Sequence, residues 1–431
     1  MTTLRIAGGS VLRPDMSVSE GDVLVDQDAG EILAVGDTDG ADEVLDADGC
    51  LVMPGLVNAH GHAAMTLLRG YADDKPLGAW LQEDIWPAEG ELGPEDVRAG
   101  ADLALVEMIR SGTTAFADMY FHVPEVAAAV DEAGVRARLG HGVVTVGKDE
   151  EEAIADNEES LEVAREFDGD AGGRIETAYM PHSLTTVGEE YLREFVAQAR
   201  EADVPVHFHA NETRDEVDPI VDERGVRPLE YADSVGLLED GDFCAHGVHS
   251  DADEIELLAE RDAAVVHCPA SNMKLASGMA PVQQMREAGV TVALGTDGAA
   301  SNNDLDLFDE MRDAAMLGKL AADDAAAVPA EAAVEMATAG GADALGFDSG
   351  RIEPGANADL AVVDFTAPHL TPVHDHVSHL AYAATGSDVR HTICDGSVLM
   401  RDRDVLAFDE ARVRERAQQR AAAVAERARD V

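Results

Sequence analysis

Lysine is almost missing from this 431-residue chain, which carries only Lys75, Lys148, Lys274 and Lys319. Lys and Arg together number 31 against 86 Asp and Glu, a formal charge of −55. A surface of that sign repels the phosphates of nucleic acid and of anionic membranes, so neither is an expected partner. Cysteine is also scarce. Cys50, Cys244, Cys268 and Cys394 stand far apart with no C-x-x-C pair, which excludes a disulfide framework, a redox pair and a thiolate metal site. They read as small buried hydrophobes. No apolar run approaches 18 residues, and the opening MTTLRIAGGS has neither a basic nor an apolar leader region, so a soluble, cytoplasmic protein is expected. The H-E-x-x-H, Walker A, G-x-S-x-G and H-x-E…P-C-x-x-C signatures are absent as well. Aromatics make up only 4% of the chain, yet hydrophobic residues reach 46%, enough for a large aliphatic core and too much for disorder.

This length fits one large barrel plus a modest accessory domain. Residues 1–54 read as short strands with Gly or Asp turns (LRIAGGSVL, GDVLVDQDAGEILAVGD, EVLDADGCLVM), and the texture returns over 347–405 (GANADLAVVDF, HTICDGSVLMRDRDVL). Neither piece alone buries much core, so the two chain ends are expected to pair into one small β-sandwich domain. Residues 406–431, Ala- and Arg-rich at helical spacing, read as a closing helix. Over 55–346, eight β-rich runs alternate with helical segments: GLVNAH, GTTAFADM, VRARLGHGVV, RIETAYMPHS, VPVHFHANE, DFCAHGVHS, AAVVHCPAS and VTVALGTDG. That alternation predicts an α/β fold, a (β/α)8 TIM-like barrel, whose functional groups gather at the C-terminal strand ends.

The polar residues obey that rule. His60 and His62, Asp118, His182, His209, His246, His267 and Asp297 all stand where a strand ends. His60 and His62, two apart on one strand, point to the same face and can grip one metal ion, with His209 and Asp297 arriving from two other strands. Asp297 follows the buried run VTVALGT, so its charge needs a partner there. Glu212 lies one short turn beyond His209, placed to move protons without binding metal. His246 occupies the equivalent end of strand six and can orient a water. His207, on the same strand face as His209 but deeper, reads as supporting or core, and His249 as structural.

The stretches PGLVNAHGHAAMTLLRGYADDKPLGAWLQEDIWPAE, HANET, AHGVH, HCPASNMKLASG and LGTDGAASNNDLDLF resemble the 5-methylthioadenosine/S-adenosylhomocysteine deaminases and the similar 5′-deoxyadenosine deaminases of the amidohydrolase superfamily, in a version typical of salt-accumulating archaea. The likeness runs from about residue 50 to 310. It implies zinc held by His60, His62, His209 and Asp297, with Glu212, His246 and Asp297 catalytic. It further implies that Glu89 contacts the ribose hydroxyls, that His182 lines the nucleoside pocket, and that Glu212 and Asp297 also meet the substrate. No Lys stands in RIETAYMPHS, where the binuclear branch carries a bridging one, so one metal per subunit is expected, and three His with one Asp would also hold iron or manganese. The chain departs at His141, where the resemblance leads one to expect an Arg for the 5′ substituent, with Arg136 and Arg138 just upstream. Carboxylate-bearing 5′ groups are therefore expected to be disfavoured.

The implied reaction is hydrolytic deamination of an adenine nucleoside (5′-methylthioadenosine, S-adenosylhomocysteine, 5′-deoxyadenosine or adenosine). The small molecule is the expected partner and a homo-oligomer the expected assembly. Three alternatives stay open at this point: a hydrolase of guanine, cytosine or a triazine, a binuclear amidase, and a nucleoside-binding barrel without catalysis. The charge has its own consequence. Self-repulsion strains the fold in dilute buffer, whereas at 1 M salt the Debye length is only about 3 Å. Thermal melting should therefore occur at a lower temperature in dilute buffer than in molar KCl, and equal melting temperatures would remove the halophilic reading.

Overall fold

The structure, a computed structural model, describes residues 1–429. Its first unit is built from both chain ends. A four-stranded sheet runs in the order Glu31–Gly36, Asp22–Asp26, Thr3–Ala7, Glu43–Asp46. A seven-stranded sheet mixes the ends, with Leu360–Asp364 antiparallel to Cys50–Pro54 and Val362 opposite Val52. Along Thr3–Ala7 burial alternates, so Leu4 and Ile6 point inward, where they meet Val23, Val25, Val52 and Val362 from both sheets. Cys50–Pro54 is buried on both faces. Val52 belongs to the sandwich core, while Leu51 and Met53 belong to the barrel core, so one strand joins the two units.

The barrel strands are β1 (Leu56–Asn58), β2 (Thr113–Tyr120), β3 (Arg136–Val143), β4 (Ile175–Thr177 and Met180–Pro181), β5 (His207–Ala210), β6 (Phe243–His246), β7 (Ala264–His267) and β8 (Val292–Leu294). They form two parallel sheets, β1 to β4 and β5 to β8. β2 and β3 are buried along their whole length, as parallel strands covered on both faces must be. The two seams are closed by parallel bridges, Tyr179 to Val206 and Ser183 to His209 on one side and Gly61 to Asp297 on the other. At the second seam Asn58 adds a side-chain staple, its amide donating to Thr296 Oγ1 (2.7 Å) and its carbonyl accepting from the Thr296 N–H (2.9 Å). Gly295 is needed here, because a Cβ would lie 2.9 Å from the His60 Cβ.

Helices between the strands start where the sequence supplies caps. Asp149 accepts from the Glu152 N–H ahead of Glu150–Glu166, and Asp251 caps Ala252–Arg261 in the same way. The closing helix occupies Glu410–Arg427, beginning after Asp409, whose carboxylate accepts from the N–H groups of Ala411 and Arg412. Asp430 and Val431 lie outside the described residues. The arginines of this helix reach acidic residues of Pro94–Arg110, Arg427 to Asp96 at 2.6 Å and Arg416 to Asp102 at 3.3 Å. Helix His376–Tyr382 departs from the β texture of its region and packs on the barrel helix Ala330–Ala337. All four cysteines are free and buried. Among the described residues no helix is long and apolar enough to cross a membrane.

Candidate active site

Three histidines and one aspartate meet at the C-terminal mouth of the barrel. His60, His62, His209 and Asp297 are all buried, and one donor atom from each lies within 4.8 Å of the other three. What aims them is a set of acceptors behind the rings. A carbonyl oxygen can only accept, so His62 Nδ1 must donate to the Met119 carbonyl (2.7 Å) and His209 Nδ1 to that of His182 (2.7 Å). His60 is fixed at one remove: His207 Nδ1 donates to the Phe243 carbonyl (2.9 Å), which leaves His207 Nε2 to accept from His60 Nδ1 (2.8 Å). In each of the three rings Nδ1 is engaged from behind, which leaves Nε2 to face the centre. His60 Nε2 is buried with no hydrogen-bond partner, an arrangement that a cation satisfies.

Asp297 is constrained from its own side. Its Oδ2 accepts from Ser271 Oγ and Ser301 Oγ, both at 2.7 Å, while Oδ1 lies 3.2 Å from His62 Nε2 and 3.5 Å from His60 Nε2. One oxygen is tethered and the other is available. The residue holds a left-handed backbone (φ 60), as do Asn211 (φ 56) and His246 (φ 75) at other strand ends. For a histidine such a conformation costs about 1–3 kcal/mol and is tolerated where a site needs it. The donor set of three imidazoles, each neutral once a metal takes up its Nε2 lone pair, and one carboxylate suits a divalent transition metal.

The remaining expected residues surround this centre. Glu212 is 8% exposed, its Oε1 accepting from Ser277 Oγ (3.3 Å) and its Oε2 3.7 Å from His246 Nε2. His246 Nδ1 meets Asn272 Oδ1 at 2.9 Å, leaving Nε2 turned toward Glu212. His249 donates to the Ser277 carbonyl (2.9 Å), a supporting role. A cavity of about 380 Å³ opens at the centre, lined by His62, His182, His209, Glu212, His246 and Asp297 together with Leu77, Trp80, Leu81, Trp86 and Glu89. Burial dominates its electrostatics. It pushes Glu212 up, drives Glu89 to about 6, and lowers His60 to about 4 and His182 to about 3. Against burial, the Asp297 carboxylate raises His62 to about 9, and His60 and His62 hold Asp297 well below the usual carboxylate range.

Other residues fall elsewhere. Asp118 accepts from the Ala63 N–H (2.6 Å) and braces the turn after His62. His267 is buried with Nδ1 unpartnered, outside the cavity wall. His141 is tied to Asp156 (2.9 Å) and does not line the cavity. Arg136 and Arg138 lie near the opposite end of β3, bound to Asp359 (2.7 Å) and to the Leu345 carbonyl (2.8 Å). The cation that does reach the cavity wall is Lys148, whose Nζ lies 2.8 Å from Asp156. Sequence reasoning passes over Ser271 and Ser301, which sit inside the HCPAS and TDGAAS motifs. It also passes over the π-helical turn Leu81–Ile85, which shapes the apolar wall.

A closed parallel barrel that gathers three imidazole lone pairs and one carboxylate oxygen, with a buried acid beside them, is the scaffold of a metal-dependent hydrolase. The amidohydrolase profile matches residues 51–399, and the chain belongs to the amidohydrolase family. It is 80% identical over 426 residues to the 5-methylthioadenosine/S-adenosylhomocysteine deaminase of Halobacterium salinarum, spanning 99% of both chains. To the 5′-deoxyadenosine deaminase of Methanosarcina mazei it is 47% identical over 404 residues, 94% of this chain and 93% of that protein. Among solved structures it is similar to an adenosine deaminase of Xanthomonas campestris with bound zinc, at a TM-score of 0.93, 38% identity and 99% of both chains.

The His207 relay makes a specific prediction. His207→Phe removes the acceptor behind His60 and should weaken metal binding by about 10- to 100-fold. His207→Gln can still accept from His60 and donate to Phe243, and should hold metal nearly as wild type. Chelator competition measures both; equal affinity of the two variants would contradict the relay.

Proposed function

We propose that this protein removes the 6-amino group from adenine nucleosides with a small 5′ substituent, using one zinc ion per chain. The carrying observation is the combination of a one-metal donor set with a buried acid, Glu212, and a second, half-buried carboxylate, Glu89, whose buried Oε1 has no partner. In this reading His60, His62, His209 and Asp297 hold the metal, and iron or manganese would fit the same donors. When bound, a divalent metal acts as a Lewis acid that makes water nucleophilic near neutral pH. The water oxygen adds to C6 of the purine. Glu212 carries one of the water's protons to N1, so negative charge does not build up on the ring. The second proton passes by Asp297 Oδ1 and His246 Nε2 to the exocyclic amine, and the C6–N bond breaks to release ammonia. The product is the inosine-type nucleoside.

The rest of the cavity suits the remainder of such a substrate. Glu89 is placed to accept from the ribose hydroxyls, with the Tyr120 hydroxyl beside it and His182 also lining the cavity. Leu77, Trp80, Leu81 and Trp86 offer an apolar surface to a methylthio or deoxy group. A 5′ carboxylate would have to compete with Asp156 for Lys148. The same reading assigns the site to a barrel unit over 55–346, supported by a β-unit of residues 1–54 and 347–405 and a closing helix over 406–431.

Two experiments test it. Glu212→Gln should keep its metal but lose turnover by about 100-fold or more, the scale of general acid–base catalysis; near wild-type turnover, or loss of metal, would refute the role. Separately, kcat/KM at molar salt should rank 5′-methylthioadenosine and 5′-deoxyadenosine above S-adenosylhomocysteine, and all three above free adenine. Glu89→Ala should abolish the preference for nucleosides, since a site built to bind hydroxyls rejects a ligand without them. If free adenine or guanine is the better substrate, a base deaminase takes the place of this proposal.

A further inference from the structure

Glu310 is wholly buried, although no Lys or Arg pairs with it among the described residues. It lies in the first turn of helix Leu307–Ala322, where the helix dipole favours an anion, and outside the cavity wall. Its two oxygens serve two different segments, the short helix Pro269–Lys274 and the loop after β8. Oε2 accepts from the Ala270 N–H at 3.2 Å, and Oε1 accepts from the Asn302 side-chain amide at 2.5 Å. The next residue after Ala270 is Ser271, and the one before Asn302 is Ser301. Those are the two serines whose hydroxyls hold Asp297 Oδ2 at 2.7 Å. The Asn302 amide also donates to the Thr296 carbonyl (2.9 Å), directly ahead of Asp297 in the chain.

A buried carboxyl without a counter-charge is costly to ionise, and burial pushes Glu310 well up; only the dipolar donors Ala270 N–H and Asn302 hold its two oxygens. What the fold gains is a common anchor: one side chain fixes the short helix Pro269–Lys274 after β7 and the loop after β8 to the same longer helix. The two serine hydroxyls then converge on a single carboxylate oxygen. With that anchor gone, the two segments lose their shared reference, Oδ2 is no longer held by two donors, and the Asp297 carboxylate can rotate to present either oxygen.

We propose that Glu310 is a positioning residue for Asp297, acting through Ser271 and Ser301 to leave Oδ1 alone facing the metal centre. The proposal rests on the reading of Asp297 as a metal ligand. Four full-length proteins in molar KCl test it: wild type, Glu310→Gln, the double variant Ser271→Ala/Ser301→Ala, and the triple combination. Zinc affinity by chelator competition, kcat, KM and melting temperature are measured on each. Glu310→Gln keeps the volume but sets an amide N–H2 against one of the donors. It should lower zinc affinity or kcat by about 10- to 100-fold while KM and melting temperature change little. In the serine-free background the same substitution should cost less than about twofold further, because effects that act through one partner do not add. Independent, additive losses would show Glu310 to be part of the general scaffold and overturn the proposal, as would wild-type affinity and kcat in Glu310→Gln. If that variant does not fold, Asn302→Ala, which keeps the buried carboxylate, should give the same loss of zinc affinity, and unchanged affinity there also overturns it. A wild type that binds zinc but releases no ammonia would refute the deaminase reading and leave the affinity comparison decisive for Glu310.

Discussion

The site depends on hydrogen bonds made behind its ligands. Backbone carbonyls of Met119 and His182, and the Phe243 carbonyl relayed through His207, place a proton on Nδ1 of each of the three rings and so turn Nε2 to the centre. Two serine hydroxyls do the complementary task for Asp297 by engaging Oδ2. Those acceptors belong to strands of the barrel or to residues next to them. The closed seams, the Asn58–Thr296 staple and the glycine at 295 are therefore conditions for the donor set, because a shift of one strand would move a carbonyl as well as a ligand.

The charge of the chain is arranged around the same need. With so few cations available, those present are concentrated where elements must be joined. Arg136 pairs with Asp359 and Asp395 between the barrel and the β-sandwich, and the arginine-rich closing helix lies against the acidic helix Pro94–Arg110. Lys274 reaches Asp73 and the Ala300 carbonyl, linking two segments at the barrel mouth, and Lys148 meets Asp156 on the cavity wall. Buried pairs such as Arg136 with Asp359 are screened little by salt, whereas the exposed acidic surface is screened strongly. Molar salt thus relieves repulsion without loosening the buried Arg136–Asp359 joint.

Much of this is legible in the sequence, for physical reasons. Strands buried on both faces are continuous apolar runs, and the polar residue that ends each run is conspicuous, so the pattern alone puts His60, His62, His209, His246 and Asp297 on one rim. Glu212 follows from its attachment to His209. The supporting residues are less legible. His207 lies in a strand where a core histidine looks the same as a relay, Ser271 and Ser301 are ordinary small polar residues thirty positions apart, and Glu310 is one acidic residue among 86. Their roles arise from convergence in space, which spacing along the chain does not encode. The 5′ end shows the same limit: His141 stands out by its place in the sequence, but its ring turns to Asp156 and leaves Lys148 at the wall.

The central claim is that four donors hold one metal and that this single site performs the deamination. Stripping the protein of metal in molar KCl and restoring zinc in measured increments, while following ammonia release from 5′-methylthioadenosine, tests it directly. The account predicts activity that rises in proportion to zinc and breaks sharply at one equivalent per chain. A break at two equivalents, or ammonia release that does not depend on restored metal, would contradict it.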